Sequence, residues 1–211
     1  RAGDAFKHAN LAGTAPLGGV VAIAGDDHAG ISSTTAHQSE FAFIDAQIPV
    51  LAPSSVQDVL DLTVAAIALS RASGLWIALK CPSDIIEQAA TVDTDLDRFI
   101  YDRPAPDGSL HIRWPDRVTD AEARLAGPKH RAAQAFVHAL GLDRVLWKTG
   151  ESRIGIIAAG KSYADTREAL DLLGLDENKA RAHGIAVYKP AMVWPLEADG
   201  LRDFAAGLDR I

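Results

Sequence analysis

Asp26-Asp27-His28, Ser32-Ser33 and His37-Gln38-Ser39-Glu40 form the densest polar stretch of the chain. This one segment gathers three carboxylates, two imidazoles and several hydroxyls. As histidines, His28 or His37 could move protons in a reaction. Asp27, His28 and His37 could also face a metal ion, but their spacing fits no familiar ligand pattern, so no metal site is expected. The same residues read equally as a hydrogen-bonded loop at a helix start, with Ser32 or Ser33 as the N-cap. The residue types alone leave catalysis and capping both open.

Three other groupings could do chemistry. Gly155-Ile156-Ile157-Ala158-Ala159-Gly160-Lys161-Ser162 fits the phosphate-binding P-loop pattern. A P-loop needs its four middle residues to curl and present backbone N–H groups to phosphate. Ile-Ile-Ala-Ala reads instead as the interior of a buried strand that ends at Gly160 before a helix. Cys81 follows a strand in Lys80-Cys81-Pro82-Ser83. A nucleophilic thiol needs a depressed pKa, and Lys80 points to the opposite face of a strand, so a buried structural thiol is expected. Asp4, Lys7, His8 and Asn10 make a polar patch, with Asp4 and His8 one helical turn apart. That patch reads as ordinary surface.

The elements that must position these groups follow an α/β rhythm. Residues 17–25 form a short apolar run bounded by glycines, the mark of a buried parallel strand. The polar segment starts at its carboxyl end, where open α/β sheets place ligands. Residues 48–52 are a second strand. Ser55 and Asp58 have capping-box spacing, and Val56, Val59, Leu60, Val64, Ile67 and Ala68 hold one apolar helical face to about Arg71, with Gly74 as the stop. Residues 75–80 are the third strand, which completes a strand–helix–strand crossover.

From about Thr91 prolines and charges accumulate, including Arg103-Pro104-Ala105-Pro106-Asp107-Gly108, and residues 93–118 read as a surface strap. A helix over 128–140 is predicted, with Pro128 in its first turn. A second α/β unit follows. It has strands at 154–160 and 185–189, and helices at 162–173, where Gly174 is the stop, and at 197–208.

The chain has 211 residues, 48% of them hydrophobic, so it can bury a sizeable core. Its net charge of -7 argues against nucleic acid as a partner. The single cysteine excludes a disulfide framework within the chain or a thiolate metal cluster, and points to a reducing, cytoplasmic setting. No apolar run is long enough to span a membrane. The chain opens on Arg1, has its single methionine at Met192, and stops after a helix-like segment, where an α/β protein next needs a strand. It therefore reads as an internal piece of a longer protein.

The run from Gly25 to Glu40 resembles the Gly-Asp-Asp-His…Ser-Ser…His-Gln-Ser-Glu segment of the large, fused bacterial indolepyruvate ferredoxin oxidoreductases. Further matches fall in order along the chain. They are Phe6-Lys7-His8-Ala9-Asn10-Leu11-Ala12-Gly13-Thr14, Ile48-Pro49-Val50-Leu51, Trp76-Ile77-Ala78-Leu79-Lys80-Cys81, Ile112-Arg113-Trp114-Pro115, Gly160-Lys161-Ser162-Tyr163 and Met192-Val193-Trp194-Pro195-Leu196-Glu197. The resemblance implies an α/β fold, in which a partial parallel-sheet pyrimidine-binding domain of thiamine-diphosphate enzymes precedes a second βαβ unit similar to the C-terminal domain of transketolases. On this basis residues 1–92 are the second half of the pyrimidine-binding domain, 93–151 a strap plus helix, and 152–211 the start of the following domain.

The implied chemistry is oxidative decarboxylation of aryl 2-oxo acids, with thiamine diphosphate and Mg2+ in the parent enzyme, iron–sulfur clusters elsewhere in it, coenzyme A as acyl acceptor and ferredoxin as electron acceptor. Partners would be the remaining domains of the same parent chain, within a homo-oligomer. By the resemblance, the catalytic candidates are Asp26, Asp27, His28 and His37, and the cofactor-binding candidates Ser32, Ser33 and Glu40. The carboxylate that activates the aminopyrimidine would precede Arg1 and the diphosphate–magnesium motif would follow Ile211. The piece alone is therefore expected to be inactive and to bind no cofactor. One departure is Ile31, where fused relatives usually carry lysine. Two rival readings are a nucleotide-binding protein using Gly155–Ser162 and a non-catalytic α/β interaction module. The position of the Asp26–Glu40 segment separates enzyme from scaffold, because an enzyme needs it on a concave rim.

Overall fold

The computed structural model describes residues 2–31, 33–99 and 109–211. Ser32 and the Arg103–Gly108 part of the strap lie outside the described residues. The strands are β1 (Val20–Asp26), β2 (Val50–Leu51), β3 (Trp76–Pro82), β4 (Arg144–Leu146), β5 (Ile154–Ile157), β6 (Ile185–Lys189) and β7 (Met192–Trp194). The α-helices are α1 (Ala2–Ala12), α2 (Glu40–Asp45), α3 (Val56–Ser73), α4 (Ser83–Ile86), α5 (Val118–Arg124), α6 (His130–Ala139), α7 (Gly160–Leu172), α8 (Glu177–Ala182) and α9 (Ala198–Ala205). The class is α/β, as the alternation of short apolar runs and amphipathic segments predicts.

One sheet has the order β1-β3-β2-β7. β1, β3 and β2 are parallel, with Val20 opposite Trp76 and Val50 opposite Ala78. β3 is apolar almost throughout because both its faces are covered. Ile77, Leu79 and Cys81 pack with Leu62 and Leu69 of α3 and Phe136 and Val137 of α6. Ala78 packs on the other side with Phe43, Ile48 and Val50. The crossover helix α3 starts where the capping signal placed it: Ser55 Oγ accepts from Asp58 N at 3.1 Å. It stops at Gly74, whose φ of 70° suits the left-handed cap that glycine adopts without strain. Asp58 does not return the bond to Ser55. Its Oδ2 accepts from Ser54 N and Ser54 Oγ, and Lys189 Nζ pairs with the same oxygen.

The second sheet has the order β4-β6-β5, with β5 parallel and β4 antiparallel to β6. The two sheets interlock. β7 runs antiparallel to β2, and Ala52 N donates to Ala191 O at 2.9 Å. Gly160, at φ 52°, sits so close to the β2–α3 connection that an added Cβ would lie 3.4 Å from Pro53 O.

The predicted helix start at Pro128 is corrected. Helix begins at Val118 and reaches Ala139 through a wider π turn at Leu125–Lys129 that contains Pro128. Proline lacks the N–H that an α-helix interior uses, and one π turn absorbs the missing bond while keeping Leu125 and Lys129 buried. Among the described residues no helix is long and apolar enough to cross a membrane.

Candidate functional site

β1 delivers two buried carboxylates at its carboxyl end, Asp26 and Asp27. Asp26 Oδ1 accepts from Ser39 Oγ at 2.5 Å and stands 3.0 Å from His37 Nδ1, and Oδ2 accepts from Ser39 N at 3.1 Å. Asp27 Oδ1 accepts from Ile31 N at 3.0 Å and Oδ2 from Ser33 N at 2.8 Å. Its carbonyl accepts from His37 N, while His28 Nδ1 lies 2.9 Å from His37 O. The segment is thus a loop folded onto its own two aspartates, and both histidines ride on it. Burial alone would raise the Asp26 carboxyl. The Ser39 and His37 contacts and the Lys80 charge outweigh burial and hold Asp26 below the usual carboxylate range.

The helix-start reading of Ser32 or Ser33 is corrected for Ser33. Helix α2 begins at Glu40 after Ser39, and Ser33 donates its amide to Asp27 instead. Ser39 does not cap α2 with its side chain, because its hydroxyl is bound to Asp26. Ile31 is 75% exposed.

Glu40 points the other way, to β3. Lys80 Nζ pairs with Glu40 Oε1, and both side chains are only 15% exposed. Glu40 Oε2 is buried and has no hydrogen-bond partner. These two residues border a cavity of about 140 Å³ with His28, Pro53, Lys161 and Ser162. A wider hollow of about 350 Å³ adjoins it, sharing His28 and Lys80 and adding His37 and Gln38. The polar segment therefore lies on a concave rim at the carboxyl ends of β1 and β3. Of the predicted site residues, His28, His37 and Glu40 face these hollows, whereas Asp26, Asp27 and Ser33 hold the loop that carries them.

Residues outside the predicted Asp26–Glu40 site complete the rim. Lys80 carries the one available signal, a lysine inside an otherwise apolar strand, which needs a carboxylate partner when buried. Lys161 and Ser162 come from the start of α7 through the interlocking of the sheets, and no spacing rule forecasts that. Another hollow, of about 300 Å³, lies among His138, Asp143, Tyr188 and Glu197. Two of its three acids are structural: Asp143 accepts from Tyr188 Oη and Ala191 N, and Glu197 caps α9 through Asp199 N and Gly200 N.

The P-loop match is overturned by the fold. Gly155 is a strand residue whose absent side chain makes room for α9, since a Cβ there would stand 2.6 Å from Leu208 Cδ1 and 2.9 Å from Phe204. Only Ala158 and Ala159 separate β5 from α7, and Lys161 Nζ is bound to Asp165 at 2.7 Å. No loop is left to wrap a phosphate. Cys81 is a core thiol, pushed up by burial and by Asp26, so it is not primed as a nucleophile. Asp4 and His8 form an exposed pair at 3.5 Å.

A family model described as "Indolepyruvate oxidoreductase domain" matches residues 144–211. The indolepyruvate oxidoreductase subunit IorA of Pyrococcus abyssi is 29% identical over 201 residues, covering 92% of this chain and 30% of that protein. The subunit IorA of Methanothermobacter marburgensis is 25% identical over 214 residues, covering 100% of this chain and 32% of that protein. Among solved structures, a 2-oxoglutarate:ferredoxin oxidoreductase from Magnetococcus marinus aligns over 86% of this chain and 36% of its own, with 14% identity and a TM-score of 0.48. The chain thus spans about a third of the length of the relatives it matches. Over nearly all of its residues, this chain is similar to one segment of the IorA subunits of indolepyruvate oxidoreductases.

Proposed function

We propose that this chain forms one wall of the active site of an oxidoreductase that decarboxylates aryl 2-oxo acids oxidatively, of the indolepyruvate type. One observation carries the reading: the Asp26–Glu40 segment lines two adjoining hollows at the strand ends, in a chain that aligns with indolepyruvate oxidoreductase subunits over 92% of its residues. A scaffold has no use for two histidines and a lysine–glutamate pair gathered in a concavity, so the enzyme reading is favoured over an interaction module.

In this reading thiamine diphosphate, held by other parts of the parent protein, would supply the carbanion chemistry, and coenzyme A and ferredoxin would take the acyl group and the electrons. Among the described residues no group of three His, Cys, Asp or Glu side chains could hold a metal ion. The magnesium–diphosphate part does not fit these residues, and we assign it to other parts of the parent protein, together with the iron–sulfur clusters. The side chains here orient and move protons. Asp26 fixes the His37 ring, whose side chain is 60% exposed toward the outer hollow, where it can give or take a proton. His28, fixed through Nδ1, presents its other nitrogen. Lys80 offers positive charge to the substrate carboxylate. Asp27 keeps the loop in shape, and Ser33 serves through its backbone.

We further propose that residues 1–92 are the second half of a pyrimidine-binding domain. Residues 93–151 are a connecting strap and helix whose β4 joins the next sheet, and 152–211 begin a transketolase-C-terminal-like domain. The parent is a cytoplasmic homo-oligomer. The test is release of carbon dioxide from carboxyl-labelled indolepyruvate by the intact protein, with ferredoxin and coenzyme A present. Substrate-dependent release supports the reading, and no release above background refutes it.

A further inference from the structure

Asp26 and the His37 carbonyl decide which nitrogens the two histidines can offer. His37 Nδ1 stands 3.0 Å from Asp26 Oδ1, and His28 Nδ1 stands 2.9 Å from His37 O. A carboxylate and a carbonyl only accept, so each Nδ1 carries the proton. The neutral rings therefore keep Nε2 as a bare lone pair, and both residues border the hollow of about 350 Å³, with Lys80 from β3. The two rings differ in what stands behind them. His28 is backed by a neutral carbonyl. His37 is backed by the Asp26 carboxylate, whose side chain is 0% exposed and which Ser39, His37 itself and Lys80 hold in its charged form. An imidazolium formed at His37 meets a fixed negative charge, whereas one at His28 meets only a dipole.

In the proposed reaction one proton needs such an acceptor. Coenzyme A takes the acyl group through its thiol, and a thiol, with an ordinary pKa of about 8.5, is mostly undissociated at pH 7. We propose that His37 is the general base for acyl transfer and that Asp26 is the positioning residue that keeps His37 Nε2 bare. Nε2 takes the S–H proton while the sulfur electron pair forms the C–S bond. The bond from the acyl carbon to its carrier breaks, and that pair returns to the carrier. The electrons of the oxidation have already left for ferredoxin, and the proton passes on to solvent from a side chain that is 60% exposed. This rests on the proposed oxidation of aryl 2-oxo acids and names the proton that His37 moves.

The test separates two halves of turnover in the intact enzyme. Carbon dioxide released from carboxyl-labelled indolepyruvate in a single turnover without coenzyme A reads the first half. Formation of the thioester in excess coenzyme A reads the second. His37→Gln is expected to slow thioester formation about a hundredfold or more and to leave the single-turnover release unchanged. That deficit should shrink as pH rises past about 8.5, where the thiol ionises unaided. Asp26→Asn presents an NH2 to Nδ1, which drives the ring to the Nε2–H tautomer, and should reproduce the deficit. The His37→Gln comparison leaves Asp26 in place, so it stands even where Asp26→Asn fails to fold. Equal slowing of both halves, unslowed thioester formation, or a deficit that is the same at every pH overturns the base role and leaves the reaction standing. No carbon dioxide from the wild-type enzyme overturns the reaction and the role together.

Discussion

Asp58 and Lys189 join the two α/β units through a buried ion pair, and cutting it in one direction should be costly. Both side chains are 5% exposed. Asp58 lies in the first turn of α3, and Lys189 ends β6. Arg144 Nη2 stands 4.0 Å from the other Asp58 oxygen, and Lys189 Nζ lies 5.0 Å from the Tyr163 ring centroid. Asp58→Asn leaves the Lys189 charge buried without its counter-charge, at a cost of about 3–5 kcal/mol. Asparagine is the informative choice because its oxygen still accepts from Ser54 N and Ser54 Oγ, so the capping contacts are largely kept. Adding Lys189→Met removes the stranded charge, and the double variant should recover at least about half of the loss. Urea unfolding of wild type, both single variants and the double completes the cycle.

The same pair sets a pH dependence. Burial alone would raise the Asp58 carboxyl, but Lys189 and Ser54 outweigh it and hold it below its ordinary 3.8. Its contribution is therefore present above the unfolded carboxylate pKa and is lost as pH falls through the lower folded value. Asp58→Asn should flatten that acid limb. A loss below about 1 kcal/mol for Asp58→Asn, or a double variant no better than the single, would refute the reasoning.

Lys129 makes the opposite case. Burial brings it down to about 8 from 10.5, so the folded state carries a charge cost below pH 8 that is relieved as pH rises toward 10.5. Its acceptor Gly74 O also takes Thr14 N, so it is not stranded by losing the lysine. Lys129→Met should stabilise the protein at pH 7 by about 1–2 kcal/mol and abolish the alkaline rise, which thermal melts across pH 7–10 would read. Gly155→Ala should destabilise by about 1–3 kcal/mol, because its Cβ meets Leu208 and Phe204. A silent Gly155→Ala in a denaturation series would remove the packing explanation for that glycine.

Much of the fold was legible because local periods and stops agree with it. The β1, β3 and β6 runs, the Ser55 start and Gly74 stop of α3, and the strand character of Ile154–Ile157 are all local signals. Pro128 misled because proline usually marks a helix start, whereas here a π turn absorbs it. β7 in the first sheet was not legible. Met192-Val193-Trp194 is too short to announce a partner, and that partner, β2, lies far back in the chain. The candidate loop was legible from the density of Asp, His and Ser. The division of labour within it was not, since burial decides that Asp26 and Asp27 shape the loop while His28, His37 and Glu40 face the hollows. Lys161 and Ser162 reach the rim only through tertiary packing.

The most direct test of the central claim is the pH–rate profile of indolepyruvate-dependent ferredoxin reduction by the intact enzyme, wild type against His37→Gln. If the Asp26–Glu40 segment lines the active site, kcat falls about a hundredfold or more and one limb of the profile disappears. A variant with unchanged kcat and an unchanged profile would contradict the account.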